Sequence, residues 1–260
     1  MTQIEKFFAQ FKFDPARTGL VGVEREQFTA DYARNIVPAS GRYLEAITAL
    51  DGRVDKDRLQ FGYELSACQL ESKIGPSEIA DLRRWLNVSE AILRSIDGQL
   101  RLTRIHAELA PENMPLDIYP DPTGRYQRIT ADMPKMVLTA ACRVAATHIH
   151  IGMPNLETAI SSYNKVISHT DELIRMGDHS SGKRMDLYRV MAPRYRPETI
   201  HSPRELFERS VAHGFVSDPR QCWTVIRISV HGTVEFRMFG ATDSAERIVE
   251  WAGYCRKLCF

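Results

Sequence analysis

The chain has 260 residues, 43% hydrophobic and 26% charged, the make-up of a folded globular protein rather than a disordered or membrane-embedded one. Its 34 basic and 33 acidic residues leave a formal net charge of +1, so it has no electrostatic footprint for a nucleic-acid backbone or an anionic membrane. The N-terminal residues do not read as a secretory signal, no stretch approaches the roughly 20 apolar residues of a membrane span, and Cys68, Cys142, Cys222, Cys255 and Cys259 read as reduced thiols. The expectation is therefore a cytoplasmic protein whose partners are small molecules, not nucleic acid or membrane.

In chain order, residues 18–28 alternate as a strand carrying carboxylates on one face. Residues 58–74 predict one long extended segment closed by the turn signal Gly75-Pro76. Ser77 then predicts the cap of a helix to about Gly98, with the apolar stripe Ile79, Leu82, Leu86, Ile92, Leu93 and Ile96. Residues 101–109 read as a strand and 111–128 as an ordered surface loop. A helix follows over 132–146, then a short strand over 147–153 and one long helix over 155–177. The stretch 178–202 reads as irregular and basic, and Ser202-Pro203-Arg204-Glu205 as a capping box opening a helix. Residues 222–240 read as a strand pair turning near His231-Gly232, and Thr242 or Asp243 opens a last helix. Trp85, Trp223 and Trp251 read as packing residues; Trp251, Tyr254 and Leu258 lie on one side of that last helix, which suits either its own sheet or a homo-oligomer. Helices of mixed length between extended segments favour an α+β fold, in one domain over 1–260.

Four segments carry the chemistry. Glu24 and Glu26 sit two apart, which on a strand places both on one face, roughly 6.5–7 Å apart at Cα. Glu64 and the Gln69/Glu71 pair follow, then His148 and His150, then Glu235 and Arg237 with Arg227 upstream. Taken singly, each has a plain reading: a solvated strand face, core histidines or a cross-strand ion-pair ladder. Taken together, inward carboxylates need neutralising, and mostly oxygen ligands point to magnesium or manganese. Arginines beside such a site suit phosphate or carboxylate groups. The stretch Gly177 to Lys183 has phosphate-loop spacing, but Arg184 stands where a metal-ligating hydroxyl belongs. Lys183 and Arg184 are therefore read as a flexible basic loop over a nucleotide.

These segments, in this order, resemble the glutamate–cysteine ligase type 2 and carboxylate–amine ligase family, of the glutamine synthetase superfold. Gly22-Val23-Glu24-Arg25-Glu26-Gln27-Phe28 is similar to its opening G-[IV]-E-x-E-x-F strand, and Glu64 through Glu71 to its second acidic strand. Thr147-His148-Ile149-His150-Ile151-Gly152 resembles its G-x-H-V-H-V-G, with Thr147 in place of the glycine. Thr233-Val234-Glu235-Phe236-Arg237 matches T-[IVL]-E-x-R. Tyr119-Pro120 and Arg125-Tyr126 are similar to the loop before its central helix.

The resemblance implies a curved, mainly antiparallel sheet of glutamine synthetase/guanidino kinase type, helices on its outer face and ATP with two or three Mg2+ (or Mn2+) ions on its concave face. It gives the metals to Glu24, Glu26, Glu64, Glu71, His148 and Glu235: Glu26 and Glu71 around one ion, Glu24, His148 and Glu235 around another. His150 would lie toward the nucleotide, while Arg227 and Arg237 would contact the γ-phosphate or the acyl phosphate. The implied activity joins a carboxylate to an amine through an acyl phosphate; with it goes the expectation that the carboxylate is that of an amino acid such as glutamate, held partly by the basic stretch Arg184 to Arg196. Two alternatives stand beside it: a metal-dependent hydrolase centred on His148 and His150, and an inactive relative that binds a nucleotide or small molecule.

Overall fold

A computed structural model describes every residue except Asp51 and Arg53. In chain order its elements are α1 (Gln3–Phe8), β1 (Val21–Ala30), α2 (Ser40–Thr48), β2 (Leu59–Tyr63), β3 (Gln69–Ser77), α3 (Ile79–Leu100) and β4 (Thr103–Ile105). They continue with α4 (Arg125–Thr130), α5 (Lys135–Arg143), β5 (Ala146–Gly152), α6 (Leu156–Val166), α7 (Thr170–Gly177), α8 (Lys183–Met191) and α9 (Pro203–Ala212). Last come β6 (Ile226–Ser229), β7 (Thr233–Gly240) and α10 (Ala245–Cys259). The strands form one antiparallel sheet in the order β2-β3-β1-β5-β7-β6, with β4 pairing to the end of β1. The α+β class and the antiparallel sheet match expectation.

Strand alternation gives this sheet two unlike faces. Val21, Val23, Ile149, Ile151, Val234, Phe236, Ile226 and Ile228 share one core with Leu82 and Leu86 of α3, Ile160 of α6 and Ile248 and Trp251 of α10. The intervening residues, Glu24, Glu26, Glu71, His148, His150, Glu235 and Arg227, therefore face the other way. The stripe expected on α3 buries Leu82, Leu86, Leu93 and Ile96, while Ile79 and Ile92 lie at its margin. Trp251 stacks on Phe239 at 4.8 Å, and Trp85 and Trp223 are partly buried. Because α10 packs on α3, α6 and β5, its apolar side is accounted for within the chain.

Local departures have local causes. The segment 58–74 is two strands, because the chain bends back between Tyr63 and Gln69 to make β2 and β3 an antiparallel pair. Ser77 ends β3 and is buried; Glu78 takes the N-cap position of α3 with no side-chain cap. The loop 111–128 holds the start of α4, whose first turn is held by Asp121 accepting from the Tyr126 N–H. The helix expected over 155–177 breaks at 167–169, where Ser168 and Thr170 hydroxyls donate to the Lys165 and Ile167 carbonyls and compete with the helical ladder. The stretch expected to be irregular contains α8, started by the Ser180 hydroxyl accepting from the Arg184 N–H. Ser202 caps α9 as expected, but Glu205 reaches back to the His201 N–H rather than that of Ser202. The β6–β7 turn falls at His231-Gly232, where φ is +72° and a Cβ would lie 2.3 Å from the Lys12 carbonyl oxygen, so glycine is required. Ser244, not Thr242 or Asp243, caps α10.

Candidate active site on the polar face of the sheet

Register converts the sequence motifs into a site. On the ladders, Glu24 lies between Lys73 of β3 and His148 of β5, and Glu26 lies opposite Glu71. His150 pairs with Glu235, which pairs in turn with Arg227. Side chains eighty or more residues apart in sequence thus share one patch.

Their contacts are short and mostly ionic. His148 Nδ1 lies 3.2 Å from Glu24 Oε2, and His148 Nε2 lies 3.6 Å from Glu26 Oε1. His150 Nε2 is 3.5 Å from Glu24 Oε2, while its Nδ1 is 2.9 Å from the Thr233 hydroxyl. The Ala146 N–H donates to Glu26 Oε2 at 2.7 Å. The Lys73 ammonium lies 2.8 Å from Glu71 Oε2 and 3.7 Å from Glu24 Oε1. Arg227 grips Glu235 with two donors, at 2.7 and 2.9 Å, and Arg237 donates to the same carboxylate. Arg227 is itself fixed by the Arg220 and Cys222 carbonyls, at 2.8 and 2.9 Å.

Burial and crowding set the protonation states. Burial pushes the Glu26 carboxyl up, and Glu71 pushes it further, to about 7. Glu64 rises to about 7 through burial and the charge of Glu26. Burial, Glu24 and Glu64 raise Glu71 well above the usual range. Burial would also raise Glu24 and Glu235, but His150, His148 and Lys73 hold Glu24 low, and Arg227, Arg237 and His150 hold Glu235 low. Burial and Arg237 together depress His148 to about 4, leaving it neutral with a lone pair to offer a metal ion. A face with too few positive charges for its carboxylates is what an added cation would relieve.

The donor set fits such an ion. Ligand atoms of Glu24, His148 and Glu235 lie within 4.8 Å of one another, the one such trio among the described residues. His150 Nε2 and Arg237 Nε are buried there without a hydrogen-bond partner, a cost of about 1–3 kcal/mol each that a bound ligand would remove. Of the two expected ligand sets, Glu24, His148 and Glu235 are brought together, whereas Glu26, Glu64 and Glu71 do not form a comparable set. Glu64, half-buried just after β2, shares a hydrogen bond with Glu71.

Lys183 and Arg184 fall elsewhere. Lys183 is exposed in the first turn of α8. Arg184 is buried and donates to the Ala145, Met238 and Arg237 carbonyls at 3.2, 2.8 and 3.0 Å, so it ties strands together rather than standing ready for a nucleotide. The loop before them is no phosphate cradle: the Ser180 and Gly182 N–H groups donate to Asp178, and that of His179 donates to Glu108. Lys73 is the site residue missed in the sequence, although its position two beyond Glu71 on a strand places it on the same face.

Beyond Arg227 the sheet edge opens into a cavity of about 400 Å³. Phe215, Trp223, Ile228 and Tyr163 give it an apolar wall, and Arg194, Arg209 and Arg227 reach its rim.

Solved structures share this architecture. A bifunctional glutathione synthetase from Pasteurella multocida superposes with a TM-score of 0.60 at 11% identity, over 99% of this chain and 40% of its own. Plasmodium falciparum glutamine synthetase gives 0.50 at 11% identity, over 97% and 54%. GmaS without ligand gives 0.51 at 12% identity, over 99% and 58%. The chain thus spans between 40% and 58% of the length of these neighbours. The likeness establishes a glutamine-synthetase-like fold; no family model and no curated protein matches the sequence. No helix of the described residues is long and apolar enough to cross a membrane.

Proposed function

We propose that this protein is an ATP-dependent carboxylate–amine ligase that works through an acyl phosphate. The observation that carries the reading is the convergence, from five strands, of Glu24, Glu26, Glu71, His148 and Glu235 with the Arg227/Arg237 pair, on a fold shared with two synthetases. A divalent ion held at Glu24, His148 and Glu235 would neutralise phosphate oxygens during transfer.

This chain's residues supply the rest. Arg227 and Arg237 stand where negative charge spreads over a transferring phosphoryl group, and their fixed guanidinium geometry stabilises it without reorganisation. The substrate carboxylate oxygen attacks the terminal phosphorus of ATP, and ADP leaves. The amine then attacks the acyl carbon, the carbon–oxygen bond to phosphate breaks, and the amine's proton is lost as the amide forms. The cavity beside Arg227 accepts the body of the carboxylate substrate, with Arg194 at its rim; this narrows the basic stretch expected to bind it. Glutamate–cysteine specificity is not part of the proposal.

Thermal unfolding with ATP, in the presence and absence of Mg2+, tests the reading, since a ligand that binds only the native state raises its midpoint. A Mg2+-dependent rise, weakened in Glu24→Gln and Glu71→Gln and accompanied by phosphate release on adding amino acids and amines, is expected. A response to zinc and none to ATP would refute it and favour a hydrolase at His148.

A further inference from the structure

The carboxylates of the polar face outnumber its cations, and Lys73 decides by how many. Its ammonium sits between side chains of adjacent strands, 2.8 Å from Glu71 Oε2 and 3.7 Å from Glu24 Oε1. A point charge bridging two carboxylate oxygens does what a bound cation does there, without needing open coordination. Counted as fully ionised, Glu24, Glu26, Glu64, Glu71 and Glu235 face Lys73, Arg227 and Arg237, so before the histidines are counted the formal excess is two negative charges, the charge of one divalent ion. The ligand atoms point the same way. Glu24, His148 and Glu235 are gathered within 4.8 Å, the one such trio among the described residues. Glu26, Glu64 and Glu71 are not gathered, and Glu71 is already bonded to lysine.

We infer that Lys73 takes the place of a second divalent cation, so that the nucleotide-free protein binds one metal ion, at Glu24, His148 and Glu235. The inference rests on the metal site of the proposed function and departs from the two or three ions that the family resemblance implies. An ion arriving with a nucleotide belongs to the substrate and stands outside this count. The consequence is chemical as well as numerical. An ammonium orients a phosphate or carboxylate oxygen through directed N–H donors, but it neither exchanges with solvent cations nor yields to a chelator. Half of the site is then charged permanently and half only when metal is present.

The test is the number of Mn2+ ions bound per chain without nucleotide, read by calorimetric titration and by electron paramagnetic resonance of free Mn2+. Wild type and Lys73→Arg should bind one ion, and Lys73→Met two, the second vanishing in Lys73→Met combined with Glu71→Gln. Lys73→Gln repeats the measurement should the methionine variant fold poorly. Two ions on wild type, which needs no variant, would overturn the inference; so would a single ion on both neutral variants. Either result leaves the proposed ligase standing. No ion on any form would remove the metal site, and with it both readings.

Discussion

Strand β1 serves two charged networks, one on each face of the sheet, and they are built on opposite principles. Toward α3, Arg25 and Gln27 meet Arg104, Glu90 and Asp97. There Arg104 bonds Glu90 and Asp97 at 2.9 Å each and Gln27 at 2.5 Å, and Arg25 lies 3.9 Å from Glu90. Two guanidinium groups face two carboxylates, so the charges cancel. Burial would raise Glu90, but the hydrogen bonds and charge of Arg104 hold it at about 2. Toward the other face, Glu24 and Glu26 join a group with carboxylates in excess, several of them pushed up by burial and by each other. The balanced network ties helix to sheet. The unbalanced one stores a deficit of positive charge that a ligand can fill, which distinguishes a site from a buttress where residue types are the same.

Substitutions should separate the two most sharply. Replacing Arg104 with methionine leaves Asp97 with only the Tyr43 hydroxyl and Glu90 with only Arg94 and the more distant Arg25. It should lower unfolding free energy in urea by about 3–5 kcal/mol while leaving the response to Mg2+ intact. Glu26→Gln keeps an oxygen for the Ala146 N–H and removes one excess charge, so metal-free stability at pH 8 should rise by roughly 1–3 kcal/mol. On the proposed function, the same variant should lose about 10²–10³ in kcat. Loss of stability in Glu26→Gln would show that the polar face is a buttress as well.

Acid and base should pull the networks apart next. Glu26 and Glu64, at about 7 against an ordinary 4.5, bind protons more tightly when folded. Their contribution is complete below pH 4.5 and is lost as pH rises through 7. Glu90, at about 2, works in the opposite sense: its contribution is present above pH 4.5 and is lost as pH falls through 2. His148, depressed to about 4, works against them in the same window, so the comparison is with Glu26→Gln: between pH 4.5 and 7 the metal-free midpoint of wild type should fall relative to that of the variant, and saturating Mg2+ should shrink that difference. The same difference with and without Mg2+ would mean that no cation relieves the cluster.

Much of this was legible from period-two alternation. Glu24/Glu26, His148/His150 and Glu235/Arg237 each declared a common face, and the apolar residues between them declared the core behind. Register was not legible from the pattern, because which strand lies beside which depends on pairing across a hundred residues; the grouping of Glu24, His148 and Glu235 came from the family resemblance alone, and that Glu26, Glu64 and Glu71 form no comparable set appears only in the fold. Arg184 misled because a basic residue after a glycine-rich turn resembles a ligand contact, whereas three main-chain carbonyls claim it. Arg104 carried no signal, since its partners Glu90 and Asp97 lie on a helix whose apolar stripe dominates the pattern.

The smallest expected effect concerns the sheet edge, where Arg227 borders the 400 Å³ cavity. Arg209 is occupied by Glu205 at 2.5 Å and Arg227 by Glu235, but Arg194 meets only the His213 ring, at 2.9 Å, and no carboxylate among the described residues. An exposed guanidinium is screened by solvent, so its attraction for a substrate carboxylate is worth about 1 kcal/mol. On the proposed function, Arg194→Ala should accordingly raise KM for the carboxylate substrate about fivefold to tenfold, leave kcat near its wild-type value and weaken the dependence of KM on salt. Mn2+ binding should not change, because Arg194 touches neither Lys73 nor the Glu24, His148 and Glu235 trio. A fall in kcat at constant KM would instead place Arg194 against the transferring phosphoryl group, and the cavity would then be a route for the nucleotide rather than a seat for the carboxylate.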